Sequence, residues 1–215
     1  MEPPDSIVLV VDDDRRVREA LGELFSAMGL RSFAFESAAA YLDFERPDLP
    51  ACLILDVKLP GVSGLELQSQ IVDACHPPIV FISGHGDVPS CVRALKAGAV
   101  DFLTKPFSER ALLDAVQSAI ARDAQDRTTR TELIGLQERH RLLTPREREV
   151  LPLVVSGLLN KQAAAELGIS EVTLQIHRSK VMRKMAAESL ADLVRMAGLL
   201  GVPLAQPRPQ QRLPA

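Results

Sequence analysis

No apolar run in this chain of 215 residues comes near the roughly 20 residues that a membrane span needs. The stretch Ile7-Val8-Leu9-Val10-Val11 is typical of the longest. The first residues, Met1-Glu2-Pro3-Pro4-Asp5, lack the basic stretch of a secretory signal. Cysteine is scarce: Cys52, Cys75 and Cys91 form no CxxC pair, and an odd, widely spaced set reads as reduced thiols, not as a disulfide framework. These absences argue against a membrane or secreted protein, and a cytoplasmic location is expected. What is present is ordinary for a globular chain, with 47% hydrophobic and 25% charged residues. The length allows one or two domains, each with a sizeable core.

The net charge of −3 conceals an asymmetry. Residues 1–121 carry 10 Lys+Arg against 18 Asp+Glu, whereas residues 143–215 carry 10 against 6. An acidic front and a basic back predict two domains with different partners. Basic charge favours a nucleic-acid polyanion.

In the front half, short apolar runs alternate with amphipathic stretches. Ile7–Val11, Ser32–Phe35, Cys52–Leu55, Ile79–Ile82 and Phe102–Leu103 read as five strands. Helices are predicted over Arg15–Met28, from a Ser37 cap to about Arg46, over Leu65–Val72, over Val88–Ala97, and onward from a Ser108 cap. Strict alternation implies an α/β fold: a five-stranded parallel sheet with helices on both faces. Ligands of such sheets bind beyond the carboxyl ends of the strands. There stand Asp12, Asp13 and Asp14, then Asp56, then Ser83, then Lys105 before Pro106. Clustered carboxylates repel one another and call for a cation. An oxygen-only donor set suits Mg²⁺, beside which a carboxylate can attack a phosphoryl group. Ser83 and Lys105 are then placed to hold the phosphoryl oxygens.

The segments Val11–Asp14, Leu55–Leu65, Ile82–Asp87 and Ala97–Phe107 resemble a response-regulator receiver domain, nearest in wording to the FixJ branch. The resemblance covers about residues 5–121. It implies that Asp56 accepts a phosphoryl group from a sensor histidine kinase. It implies Mg²⁺ held by Asp13, Asp56 and the Lys58 main-chain carbonyl, with Asp12 acting through water and Asp14 not a ligand. Ser83 and Lys105 would bind the phosphoryl group. Phe102 matches the switch aromatic that turns inward as Ser83 moves, and Lys105–Pro106 would be cis. Lys58 and His85 would flank the path of the hydrolytic water. Asp12-Asp13-Asp14 also fits the motif of haloacid-dehalogenase-type phosphatases. That family wants a small or apolar residue at Arg16 and a later Gly-Asp-rich metal loop, and both are missing. A regulator that keeps this fold but works without phosphate is the other alternative.

Residues 122–132 contain no large apolar residue, Gly or Pro, which predicts a solvated helical linker over 122–139. Leu133, Ile134 and Leu136 then restart an apolar face. Thr144-Pro145-Arg146-Glu147 is a helix start with a capping box, followed by Val150, Leu151, Val154 and Val155 on one face. Pro152 inside this helix should strain it. Asn160 is read as the cap of the next helix, which buries Ala163, Ala164 and Leu167 and stops at Gly168. Ser170 caps a third, which buries Val172 or Leu174 with Val181 and Met185, and displays Gln175, His177, Arg178, Lys180, Arg183 and Lys184. Ser189 caps a fourth. Two helices joined by a tight turn make a helix-turn-helix, and cations on the second suit a major groove. On helix pattern alone, a basic bundle that binds protein stays open.

Leu143–Leu151, Gly157, Asn160-Lys161 and Ile169–Arg178 resemble the LuxR-type helix-turn-helix of FixJ/NarL regulators, over about residues 140–201. By that resemblance Gln175, Ile176 and Ser179 face base edges of double-stranded promoter DNA. Lys161, Thr173, Arg178, Lys180 and Arg183 contact mainly the backbone. Glutamine can pair bidentately with adenine, although many relatives carry Lys where Gln175 and Ser179 stand. Residues 202–215, with four prolines, read as a disordered tail. The expectation is a two-domain transcription regulator, not an enzyme, which forms a homodimer on phosphorylation and engages RNA polymerase.

Overall fold

The computed structural model describes residues 6–71, 76–84 and 88–205. They form two compact units that part between Thr128 and Thr129. In the first unit the strands are β1 (Ile7–Val11), β2 (Arg31–Phe35), β3 (Ala51–Asp56), β4 (Ile79–Ser83) and β5 (Asp101–Thr104). Between them run α1 (Arg15–Ala27), α2 (Ala38–Leu42), α3 (Gly64–Ile71) and α4 (Val88–Lys96), and α5 (Glu109–Arg141) follows β5. All strand pairs are parallel, in the order β2-β1-β3-β4-β5.

Side chains alternate across a strand, and here both faces are buried. Ile7, Leu9, Val11, Leu53, Leu55 and Phe81 pack with Ala38, Leu67, Ile71 and Ala94 of α2, α3 and α4. Val8, Val10, Cys52, Ile54, Val80 and Ile82 pack with Leu21 and Phe25 of α1 and Leu112, Val116 and Ala119 of α5. A strand buried on both faces reads as an unbroken apolar run, which is how β1, β3 and β4 are written. Burial pushes the Cys52 thiol up, with Asp123 adding to the effect. Cys52 and Cys91 are free thiols; Cys75 lies outside the described residues.

The helix expected from Ser37 to Arg46 stops at Leu42. Arg46 precedes Pro47, and a residue before proline is driven from helical backbone. The segment read as a solvated helical linker is helical, continuing from the helix before it as expected, but it is not solvated throughout. α5 is one helix of 33 residues, and the boundary between the units falls inside it. Asp123 is buried, and its carboxylate accepts from the Ala51 backbone N–H at 2.8 Å and from Arg127 Nε at 2.9 Å. Arg127 also pairs with Asp48. A carboxylate, not an apolar side chain, packs this stretch, so a hydrophobic pattern does not register it.

In the second unit, Leu136 of α5 is buried with α6 (Pro145–Val155), α7 (Asn160–Leu167), α8 (Glu171–Met185) and α9 (Leu190–Leu199). Thr144 and Glu147 form the capping box that opens α6, which runs through Pro152 to Val155. Asn160 does not cap α7. Leu159 holds that position, and its backbone N–H donates to Gln162 Oε1 at 3.0 Å. Of the two candidates on α8, Leu174 is the buried one and Val172 is 72% exposed. Leu174 shares a helical face with Val181 and Met185. Ser170 and Ser189 cap α8 and α9. Arg146 Nη2 donates to the Leu167 carbonyl at the end of α7, and Arg139 Nη1 to the Met185 carbonyl at the end of α8. Cations there satisfy orphan acceptors and suit the helix dipole. Of the segment expected to be disordered, residues 202–205 are held instead: the Val202 N–H donates to the Ala197 carbonyl and the Ala205 N–H to Ser156 Oγ. Residues 206–215 lie outside the described residues. No described helix is long and apolar enough to cross a membrane.

Candidate functional site

The chain leaves β1 for β2 on one side and returns to β3 on the other, so a crevice opens at the carboxyl ends of β1 and β3. Asp12 and Asp13 follow β1, and Asp56 closes β3. Asp12 is fully buried and Asp56 nearly so, while Asp13 faces solvent. Asp14 turns away: its carboxylate caps α1 by accepting from the Arg16 N–H at 2.8 Å. Arg18 Nη1 donates to the carbonyls of Asp12 and Asp13 at 2.7 and 2.9 Å. That fixes the loop carrying both carboxylates. Nothing in the local pattern singles out Arg18, whose partners lie five and six positions back.

Lys105, after β5, joins the cluster. Its Nζ donates to Asp12 Oδ2 at 2.6 Å and to Asp56 Oδ2 at 3.1 Å. Its backbone N–H donates to the Ser83 carbonyl at 2.7 Å, which ties the loop to β4, and Lys105–Pro106 is cis. Burial works against the ammonium, but its hydrogen bonds to both carboxylates outweigh it and its pKa is raised. Burial also raises the Asp12 carboxyl, against the pull of Lys105. Three carboxylates against one ammonium leave an excess of negative charge. Asp12, Asp13 and Asp56 each turn an oxygen to within 4.8 Å of the others'. Hard oxygen donors with one side open to water fit a hydrated divalent ion such as Mg²⁺.

Ser83 is 1% exposed at the end of β4, and the half-buried Phe102 on β5 lies with its ring 6.1 Å from that of Phe81. Lys58 is exposed, and its backbone N–H donates to Asp56 Oδ1 at 3.2 Å. His85 and Asp87 lie outside the described residues. Gly64 has a role that its sequence position does not announce. A Cβ there would sit 2.2 Å from the Asp56 carbonyl oxygen, so only glycine lets α3 start against the end of β3.

On the second unit, Gln175, Ile176, Ser179, Lys180 and Arg183 of α8 line one shallow groove. Lys161 is exposed at the start of α7. Thr173 is half-buried, and its N–H donates to Ser170 Oγ. Two cations read as displayed have partners instead. Arg178 is half-buried and donates to Asn160 Oδ1, and Lys184 Nζ donates to Glu147 Oε2 at 2.7 Å and to the Leu142 carbonyl. His177 is half-buried as well.

Residues 8–117 match the response regulator receiver domain, and residues 141–197 match the bacterial regulatory proteins of the luxR family. The chain is 50% identical over 198 residues to "Nodulation protein W" of Bradyrhizobium diazoefficiens, covering 92% of this chain and 87% of that one. It is 44% identical over 201 residues to "Transcriptional regulatory protein FixJ" of Azorhizobium caulinodans, covering 93% and 95%. Among solved structures, response regulator StyR is similar with a TM-score of 0.78 at 46% identity, over 90% of this chain and 98% of that one.

Proposed function

The chain belongs to the response regulators that join a receiver domain to a LuxR-type DNA-binding domain, and from that premise we propose that phosphorylation of Asp56 by a sensor histidine kinase turns on promoter binding by a dimer. Its class is that of transcriptional regulators, not enzymes. The observation that carries the proposal is the cluster of Asp12, Asp13, Asp56 and Lys105, gathered from three strand ends.

An Asp56 carboxylate oxygen attacks the phosphorus of a phosphohistidine. The O–P bond forms, the N–P bond breaks, and the imidazole leaves with the electron pair and takes up a proton. Asp13, Asp56 and the Lys58 carbonyl, with Asp12 through water, would hold Mg²⁺, which when bound supplies positive charge against the phosphoryl oxygens. Lys105 has three donors to share, so its ammonium moves from carboxylate to phosphoryl oxygen as Asp56 loses its charge. The Ser83 hydroxyl follows the same group, and Phe102 turns inward behind it. Two receivers then associate, and two helix-turn-helix units grip paired half-sites. Linking two weak contacts multiplies affinity. Lys161, Thr173, Arg178, Lys180 and Arg183 face the phosphate backbone, while Gln175, Ile176 and Ser179 face bases. RNA polymerase is the further partner at the promoter, in the cytoplasm where that DNA lies.

The test is incubation of wild type and Asp56→Asn with Mg²⁺ and acetyl phosphate, read by mass and sedimentation. We expect a single phosphoryl adduct with dimer formation in wild type and neither in the variant. An adduct that persists in Asp56→Asn removes Asp56 as acceptor. No adduct in wild type favours a regulator that works without phosphate.

A further inference from the structure

Three side chains bridge α7 and α8. Arg178 Nη1 donates to Asn160 Oδ1 at 3.0 Å, and Asn160 Nδ2 donates to Gln175 Oε1 at 2.8 Å. The orientation of both amides follows from chemistry, without distinguishing nitrogen from oxygen by position. A guanidinium has only donors, so Asn160 must turn its oxygen to Arg178. Its NH₂ is then what meets Gln175, and an NH₂ is satisfied only by an acceptor. Gln175 therefore turns Oε1 inward and its own NH₂ outward.

The next turn of α8 continues the pattern. Ser179 Oγ donates to the Gln175 carbonyl at 2.9 Å, so its one hydrogen is engaged and its lone pairs face out. Ile176, between them, is 51% exposed. All three line the groove described above. The surface thus reads donor, methyl, acceptor.

In the major groove guanine shows two acceptors, N7 and O6, whereas adenine shows an acceptor and a donor. A glutamine with both amide ends available pairs with adenine. The adenine N6–H₂ needs an acceptor from that side chain, and here the acceptor faces Asn160. We propose that Asn160 is a positioning residue for sequence recognition: it holds the Gln175 amide donor-outward, so that α8 reads guanine in preference to adenine under Gln175. This rests on the DNA-reading role assigned to α8 above, and it replaces the adenine pairing that glutamine alone suggests.

The experiment selects bound sequences from randomised double-stranded DNA, using the full chain with Mg²⁺ and acetyl phosphate. Gln175→Ala marks the base pair in question as the position whose preference it erases. At that position wild type should enrich guanine over adenine at least ~5-fold, the lower end for a good base contact. In Asn160→Asp the carboxylate accepts from Arg178 with one oxygen and from Gln175 Nε2 with the other. The glutamine amide turns round, and preference should move to a donor-bearing base, adenine or cytosine, at that position alone. Asn160→Ala releases the amide and should bring the guanine-to-adenine ratio towards one. Thermal unfolding checks both variants, and Asn160→Ala carries the test if Asn160→Asp does not fold. Adenine enriched by wild type overturns the proposal. So do guanine retained in the variants, a loss spread evenly over all positions, and unchanged preferences in Gln175→Ala. Failure of wild type to enrich any sequence overturns the DNA-reading role itself, before a variant is needed.

Discussion

Lys105 holds two carboxylates at once, and its replacement by methionine would leave Asp12 and Asp56 facing each other in a buried crevice. Removing one partner of a fully buried pair costs about 3–5 kcal/mol. The Lys105 side chain keeps 24% of its surface in water, so Lys105→Met should cost somewhat less, about 2–3 kcal/mol. Added Mg²⁺ should restore part of that loss, because a bound cation neutralises the same oxygens. Urea unfolding with and without Mg²⁺ checks this, and a loss insensitive to Mg²⁺ would mean that the carboxylates do not share a cation. At Gly64 the limit is space. A methyl group there meets the Asp56 carbonyl oxygen, which is backbone and cannot swing aside. Gly64→Ala should destabilise the first unit by roughly 1–3 kcal/mol, as overpacking does, and slow phosphorylation by acetyl phosphate. An unchanged urea midpoint would show that α3 can retreat.

α5 and α6 show how polar groups set the course of an element. The Asp123 carboxylate is the acceptor for the Ala51 N–H where β3 begins. Asp123→Ala strands that buried donor, at a cost of about 1–3 kcal/mol. Faster hydrogen exchange at Ala51 would report it, and unchanged exchange would mean that water takes the carboxylate's place. Glu147 joins α6 to α8 through Lys184 and closes the capping box with Thr144. Burial alone would raise its carboxyl, but hydrogen bonds from Lys184 and Thr144 prevail and lower it from 4.5 to about 2. A carboxyl depressed in the folded state stabilises fully above its unfolded pKa and loses that contribution on acidification. The second unit should therefore weaken as pH falls from about 4.5 towards about 2. Hydrogen exchange of α6 amides would follow it. Glu147→Gln keeps an oxygen for the Thr144 N–H but loses the charge opposite Lys184, so it should flatten that window and lower stability at neutral pH by about 1–2 kcal/mol, the difference between a charged and a neutral hydrogen bond.

Across the whole molecule, charge is divided by task. The acidic excess lies in residues 1–121, which also carry the crevice of Asp12, Asp13 and Asp56, and the basic excess lies in residues 143–215. Not every cation in the second part is available to DNA. Lys161, Lys180 and Arg183 are exposed, while Lys184 is held by Glu147. Each phosphate neutralised contributes about −0.9 to the slope of log K against log salt, so the four cations proposed to face the backbone (Lys161, Arg178, Lys180 and Arg183) should give roughly −7 in two bound copies. Lys180→Ala should flatten that slope by about 2, and Lys184→Met should leave it unchanged. Titration of phosphorylated protein onto its operator over a range of salt measures both. A shallower slope for Lys184→Met would return that lysine to the DNA face.

Most elements and the carboxylate rim are legible in local sequence pattern, the early end of α2 at Leu42 and the cap of α7 at Leu159 being exceptions. Unbroken apolar runs at Ile7–Val11, Ala51–Leu55 and Ile79–Ile82 mark strands buried on both faces, and Asp12, Asp13 and Asp56, directly after the first two, are the carboxylates that share the crevice. Thr144, Ser170 and Ser189 mark helix starts, because a cap bonds within three residues of itself. The partners of polar groups are not legible there, because they come together only in the folded chain. Asp123 meets Ala51 across 72 positions, Lys184 meets Glu147 across 37, and Gln175 is turned by Asn160 across 15. Hydrophobic periodicity reports which side chains leave water, since burial of an apolar group depends only on which face it occupies. A hydrogen bond needs a donor and an acceptor within about 3 Å, and for groups far apart along the chain that distance is set only when the fold closes.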